Sequence, residues 1–373
     1  MNVGARLLRQ RLTAVSNAMR AAAHGVGGTV PRAPLMVYLE VTRGCNLRCR
    51  HCDIWMTAGK QGANGRPEMP ADRIVEIFAG LVRHGLLAID LFGGEPLLRP
   101  ELPDMVRGLR DAGLHVTVTT NGTLLSDRVC RALAEAGLSQ LLVSFDAPTA
   151  AGHDRLRGKM GTFDAAASGL SRFGELAGGR TRAGVNTLVC RDNIDVLPDM
   201  VGLCLKLRAR QLRLLPYHQC YPFDSYRRDD ALMPLPEDLP RLERALRELR
   251  EKAGESGIST NCGPYLDGIA GWFGGSRQKV RCMAGVAVCD VNAFGDLYPC
   301  FTLSKPVGNV LERPFLELWT SPEMSLHRDM VESCNRCWQS CYIEPGLRLS
   351  ASALLADRKA VLRDLREYFL PHR

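Results

Sequence analysis

The feature that most restricts how this chain can fold is an alternation running from residue 35 to about 257. Short runs rich in β-branched residues and Leu are separated by longer amphipathic ones. LMVYLEVT (35–42), LAIDLFGG (87–94), HVTVTTNG (115–122), QLLVSFDA (140–147), AGVNTLVC (183–190) and QLRLLPYHQ (211–219) read as strands. Between them, PADRIVEIFAGLVRHG, LSDRVCRALAEAG and NIDVLPDMVGLCLKLRA have helical periodicity, and several such runs begin at Pro, Ser or Asp and end at Gly. Six strand–helix units in series call for a parallel sheet with helices outside it, because a right-handed crossover returns each strand beside the last. The expected fold is therefore α/β, a partial (β/α)6 TIM-like barrel.

Four segments follow from this reading: a basic helical extension (1–34), the barrel (35–257), a small Cys-rich β-hairpin and helix domain (258–345) and a C-terminal helix (346–373). PEDLPRLERALRELREKAGESG closes the barrel, and NCGPYLDGIAGWFGGSRQKV has the Gly and polar content of a connector. In a parallel sheet, ligands bind at the carboxyl ends of the strands. The polar and Gly-rich groups fall at those ends: Gly93-Gly94-Glu95-Pro96, Thr120-Asn121-Gly122, Ser144-Phe145-Asp146 and Tyr217-His218-Gln219-Cys220. That shared placement predicts one large site.

Charge and hydropathy narrow the class. A net charge of +8 spread over 373 residues, with no Lys/Arg block, does not predict a nucleic-acid surface. No apolar run approaches the roughly 18 residues of a membrane span. The first thirty residues carry four Arg and no acid, which predicts an amphipathic helix lying on the protein or an associated surface. A cytoplasmic location is expected. In a long chain of this kind, 14 cysteines point to metal ligands or catalysis more than to disulfides.

Three of those cysteines lie in VTRGCNLRCRHCD, directly after the first strand: Cys45, Cys49 and Cys52. Thiolates so spaced can converge on one soft metal centre, an iron–sulfur cluster or zinc. Zinc would need a fourth ligand, His51 or Asp53; three ligands on a [4Fe–4S] cube instead leave one iron open.

CxxxCxxC with an aromatic residue before its last cysteine resembles the radical S-adenosylmethionine (SAM) enzymes. That resemblance implies that the open iron chelates SAM and that one electron splits it to a 5'-deoxyadenosyl radical, which takes a hydrogen atom from a substrate carbon. His51 then occupies the aromatic position, beside adenine. Gly93, Gly94, Glu95 and Pro96 resemble the family's GGEP motif at the SAM amine. Two glycines let backbone approach a ligand, and a carboxylate meets an ammonium. Asn121, Ser144 and Asn186 fall where the family contacts the SAM ribose and carboxylate. Arg157 resembles the Arg that reaches the carboxylate, with Arg155 two residues away. A flavodoxin- or ferredoxin-type electron donor is implied as partner.

The segment from Cys282 through GDLYPC (295–300) to Cys334-Asn-Arg-Cys337-Trp-Gln-Ser-Cys341 resembles the SPASM/twitch extension of these enzymes. The full pattern has seven cysteines, and this segment has six. Cys289 falls mid-strand and reads as packing. Four of Cys282, Cys300, Cys334, Cys337 and Cys341 are expected to hold one auxiliary [4Fe–4S] cluster, with a zinc ribbon as the alternative.

An auxiliary cluster near the substrate would permit dehydrogenation or cross-linking; a thiol opposite the radical would permit epimerisation. Cys190 and Cys220, at the fifth and sixth strand ends, are the candidate hydrogen donors, with burial as small core residues the competing reading. Only about thirty-five residues precede the first strand, too few for a fused peptide-recognition domain. The expected substrate is therefore a sugar or aminocyclitol in a biosynthetic pathway, with a ribosomally made peptide as the alternative. A non-catalytic iron–sulfur or zinc protein is the reading from another class.

Overall fold

The architecture is taken from a computed structural model, which describes residues 3–24, 30–56, 66–218, 229–276, 280–300, 302–303 and 305–348. The chain opens with helix α1 (Val3–Ala23) and strand β1 (Met36–Thr42). Then follow α2 (Ala71–Leu81), β2 (Ala88–Gly93), α3 (Leu102–Asp111), β3 (His115–Thr120), α4 (Asp127–Glu135) and β4 (Gln140–Ser144). Two helices, α5 (Ala150–Arg157) and α6 (Thr162–Ala177), precede β5 (Arg182–Val189), α7 (Met200–Lys206), β6 (Gln211–Pro216), α8 (Leu239–Glu255), β7 (Ser259–Thr260) and α9 (Gly263–Phe273). The remainder is β8 (Val288–Val291), β9 (Asp296–Tyr298), β10 (Gly308–Asn309), α10 (Phe315–Trp319), α11 (Pro322–Glu332) and α12 (Ser340–Arg348).

All ten strands form one sheet in the order β10-β9-β8-β1-β2-β3-β4-β5-β6-β7. β1 to β6 are parallel neighbours in chain order, the expected half-closed barrel. The Cys-rich hairpin does not stand apart from it: β8 pairs in parallel with β1, Met36 opposite Val288.

Side chains alternate between the two faces of each strand. Val37, Leu39, Ile89, Leu91, Val116, Val118, Leu141 and Val143 are fully buried against apolar residues of the helices, among them Phe78, Met105, Leu133 and Phe173. At about 1.5–3 kcal/mol per buried side chain, this face holds the layers together. Intervening positions carry polar groups. Thr119 donates to Asp90 at 2.9 Å, and Gln140 bonds Gln211 across the sheet. The interior of the curved sheet is thus polar, as a binding chamber requires.

Helix starts follow their caps: Ser126 accepts from the Val129 N–H and Thr149 from the Gly152 N–H. The single helix expected in NIDVLPDMVGLCLKLRA is broken into a 3-10 turn (Arg191–Val196) and α7. Pro198 between them lacks the N–H that a continuous helix would use. The expected connector after residue 258 also contains a helix, α9. Its Gly268 is where α9 meets Trp338: a Cβ there would lie 2.2 Å from the indole. Tyr265 stacks on Trp338 at 5.8 Å, donates to its carbonyl and accepts the indole N–H through its own, each at 2.9 Å. Glycine content read as a linker is here a packing surface. The C-terminal helix expected over 346–373 lies outside the described residues from 349 onward.

Candidate functional site

At the end of β1 the chain leaves the sheet and turns inward. The Gly94 N–H bonds the Thr42 carbonyl and the Glu95 N–H bonds the Gly44 carbonyl, each at 2.8 Å, lashing the end of β2 to the start of the three-cysteine loop. A Cβ on Gly93 would lie 2.3 Å from the Thr42 carbonyl oxygen, and one on Gly94 2.2 Å from that of Gly44. These glycines let two backbone segments touch; close approach to a ligand was the expectation from sequence.

On its far side the loop rests on α5. The Arg50 N–H bonds the Leu156 carbonyl at 2.9 Å, and left-handed Gly158 (φ +70) abuts the Arg48 carbonyl. The Trp55 indole donates to the Cys52 carbonyl at 2.8 Å. Arg50 is clamped by Asp192 and Asp229.

So held, Cys45, Cys49 and Cys52 line one cavity of about 230 Å³ with His51, Gly93, Gly94, Asn121, Ser144, Arg157 and Asn186. The structure thus gathers three predicted thiols and seven other predicted site residues from the ends of β1 to β4, from β5 and from the end of α5. Glu95 and Pro96 sit behind this lining, both buried. The Glu95 carboxylate accepts from the Thr120 hydroxyl at 2.6 Å, the Asn121 N–H at 2.8 Å and the Leu97 N–H at 3.0 Å, so it braces the ends of β2 and β3. Asn121 in turn donates to Asn46 of the loop at 2.9 Å.

Burial pushes the Cys45 thiol up to about 11 and raises Cys49 and Cys52 as well. Cys52 is raised further by Cys49 and Cys45, which marks the three as neighbours. Thiols in this state release protons as they take up metal. Burial lowers His51 to about 4, leaving a neutral imidazole. Among the described residues no three metal-binding side chains are drawn around a single ion. The donor set is soft and sulfur-only, and the buried Asn186 Oδ1 facing the cavity has no partner. These residues fit a thiolate-bound cluster and a polar ligand beside it.

Among the cavity residues not assigned a role from sequence are Asp146, His218 and Gln339. Asp146, just past β4, is fully buried and ion-paired with Arg157 at 2.8 Å. Its place in a polar strand-end group was the available signal. Gln339 reaches in from the second cysteine segment, and nothing local in sequence marks it.

The candidate hydrogen donors fare differently. Cys190 is fully buried in an apolar cluster with Leu156, Tyr217 and Leu232, outside the cavity lining, and burial pushes its thiol up to about 12. Cys220 lies outside the described residues.

In the second group, Cys282, Cys300, Cys337 and Cys341 pack in one small cluster. Burial raises Cys282, Cys300 and Cys341, and each is raised further by other cysteines of the set that includes Cys334 and Cys337. Cys289 is buried within β8. Asp290 is also buried there, accepting from the Tyr342 hydroxyl at 2.7 Å, and burial pushes its carboxyl well above the usual carboxylate range.

The pattern of the Radical SAM superfamily matches residues 39–201, and that of an iron–sulfur cluster-binding domain, SPASM, matches residues 282–338. PqqA peptide cyclase of Streptomyces rochei is 30% identical over 344 residues, 88% of this chain and 88% of the relative. The chain belongs to the radical SAM superfamily. It carries a C-terminal SPASM domain, and these domains imply a SAM-binding [4Fe–4S] cluster and auxiliary iron–sulfur clusters. Membership in this enzyme family displaces the reading of a non-catalytic zinc or iron–sulfur protein.

AdoMet-dependent heme synthase of Methanosarcina barkeri is 29% identical to this radical SAM chain over 341 residues, 87% of the chain and 94% of the relative. Streptococcus suis SuiB bound to its precursor peptide SuiA shares the fold with a TM-score of 0.63 and 16% identity, covering 80% of this chain and 67% of SuiB. AnSMEcpe with bound AdoMet does so with a TM-score of 0.63 and 14% identity, covering 89% of this chain and 99% of that one. Among the described residues no helix is long and apolar enough to cross a membrane.

Proposed function

We propose that this radical SAM enzyme is a maturase of a ribosomally made peptide, forming a cross-link or another oxidised or epimerised product at an unactivated carbon. The observation that carries the substrate class is the 30% identity to PqqA peptide cyclase over 88% of both chains. It supports the peptide reading over the sugar or aminocyclitol expected from sequence. A second reading, a tetrapyrrole substrate, is favoured by the likeness to the M. barkeri heme synthase and to Fe-coproporphyrin III synthase of the same organism, 28% identical over 356 residues.

The proposed roles follow from position. Cys45, Cys49 and Cys52 hold the first cluster, which with SAM supplies the hydrogen-abstracting radical when bound. Backbone of Gly93 and Gly94 lines the SAM amine pocket, and Glu95 acts from behind by fixing Thr120 and Asn121. Asn121, Ser144, Asn186 and Arg157 orient the rest of SAM, with His51 packed beside the adenine. Four of Cys282, Cys300, Cys334, Cys337 and Cys341 hold one auxiliary cluster. Gln339, between Cys337 and Cys341, opens on the same cavity as the first three thiols. A substrate there lies between the two cysteine groups, placed to give up an electron after losing a hydrogen atom.

The test is anaerobic reconstitution, iron counting and assay for 5'-deoxyadenosine with dithionite as reductant. About eight irons and reductant-dependent deoxyadenosine are expected; no cleavage of SAM would sink the proposal. Candidate peptides from neighbouring genes are then compared with iron porphyrins by mass spectrometry. A peptide product lacking two hydrogens supports cross-linking or dehydrogenation, and one solvent deuteron in an unoxidised product supports epimerisation. A product from porphyrin alone would replace the peptide reading with the tetrapyrrole one.

A further inference from the structure

We propose that the buried Asp146–Arg157 pair sets the reduction potential of the cluster at Cys45, Cys49 and Cys52: Arg157 raises it through Cys49, and Asp146 limits that rise. The inference rests on reading this loop as the site of the SAM cluster.

Arg157 ends α5 with its guanidinium buried in the cavity wall that Cys49 also lines, ion-paired with Asp146 at 2.8 Å, and its charge acts on the buried Cys49 thiol. Other arginines of the loop are turned elsewhere. Arg50 is held by Asp192 and Asp229, Arg48 lies over the Trp55 ring at 5.6 Å, and Arg43 sits 3.5 Å from Glu40. Arg157 is thus the buried guanidinium that shares the cavity wall with a ligand sulfur.

Asp146 fixes where that charge stands. Its Oδ1 accepts the Leu188 N–H at 3.1 Å, its carbonyl accepts from the Asn193 amide at 2.8 Å, and its own N–H donates to His153 Nδ1 at 3.2 Å. Gly158, the next residue after Arg157, is seated against the Arg48 carbonyl. The guanidinium is therefore anchored from the β4–β5 side by Asp146 and from the loop side by backbone contact. Burial works against both charges, but each stabilises the other and both remain ionised.

Reduction adds one electron to a cluster. A cation held near a ligand sulfur favours the reduced form, and a nearby anion opposes it. In a buried setting neither effect is screened as it would be at the surface. Asp146 and Arg157 act here as positioning residues, through Cys49.

The experiment is a redox titration of the anaerobically reconstituted full chain without SAM, followed by EPR. The signal that changes when SAM is added afterwards identifies the cluster in question. With Arg157→Gln, the reduced-to-oxidised ratio at the wild-type midpoint is expected to fall about tenfold, 59 mV for a one-electron couple. Asp146→Asn is expected to raise it by a similar factor. Arg157→Lys keeps the charge and should lie between wild type and Arg157→Gln, which preserves the test if the Asp146 variant does not fold. The auxiliary signal should keep its potential throughout. Unchanged midpoints in both Arg157 variants, or parallel movement of both clusters, would overturn the inference. A wild-type protein with no SAM-responsive signal would instead overturn the underlying reading of the loop.

Discussion

Gly94→Ala tests whether this glycine serves chain packing or ligand access. The added methyl would lie 2.2 Å from the Gly44 carbonyl oxygen, 2.7 Å from its carbon and 2.9 Å from the Arg43 carbonyl oxygen. All three are backbone atoms, so no side chain can swing aside, and ordinary contact begins near 3.4 Å. The segments must part by more than 1 Å, which stretches both 2.8 Å bonds that lash β2 to the loop. Overpacking of this kind costs about 1–3 kcal/mol. Weakening two backbone hydrogen bonds adds about 1 kcal/mol. A destabilisation of about 2–4 kcal/mol is therefore expected, with Cys45, the next residue after Gly44, carried out of register. The assay is thermal unfolding of the metal-free protein together with iron per chain after reconstitution. Gly80→Ala is the control, since nothing lies within 4 Å of its Cβ position in α2; it should be neutral or stabilise by up to about 1 kcal/mol. A Gly94→Ala protein that melts like wild type and takes up full iron would refute the packing argument. If it took up iron normally and lost only SAM affinity, the glycine would belong to the ligand after all.

Other consequences follow from named contacts. Trp338→Ala removes the stacking partner of Tyr265 and the indole N–H bond to the Tyr265 carbonyl, leaving the backbone carbonyl of residue 338 to the Tyr265 hydroxyl; it should cost about 3–5 kcal/mol locally and lower iron from about eight to about four per chain, with SAM cleavage retained. Glu40, buried on β1, is raised to about 7 by burial. The folded protein keeps that proton to higher pH than the unfolded chain, so stability is lost as pH rises from 4.5 towards 7. Glu40→Gln should remove about 3 kcal/mol of that dependence, read by urea unfolding at pH 5 and 8. Glu95→Gln places an NH2 among three donors and should cost about 1–3 kcal/mol, detected as a lower melting temperature before any metal is added. Cys190→Ala should cost about 1 kcal/mol as lost packing while deoxyadenosine and product, including its stereochemistry, are unchanged.

What the sequence disclosed and what it withheld divide along the range of the physical signal. The six strands were legible as short runs rich in β-branched residues and Leu, such as Val37, Leu39, Ile89 and Leu91, and the cap at Ser126 is written within a few residues of the helix it starts. The three thiols were legible for the same reason, since their spacing along one loop already limits where they can point. Asp146 and Gln339 were not, because their place in the cavity wall exists only after β4, α5 and the second cysteine segment have packed. Glycine is the signal that admits more than one physical explanation. Gly93, Gly94 and Gly268 each signal that something must come close, and in sequence the nearest explanations were a ligand and a linker. In the folded chain the close neighbours are the Thr42 and Gly44 carbonyls and the Trp338 ring. The motif thus constrains the cavity twice: its backbone lines the pocket, and its missing side chains let the loop that bears the thiols dock where the pocket needs it.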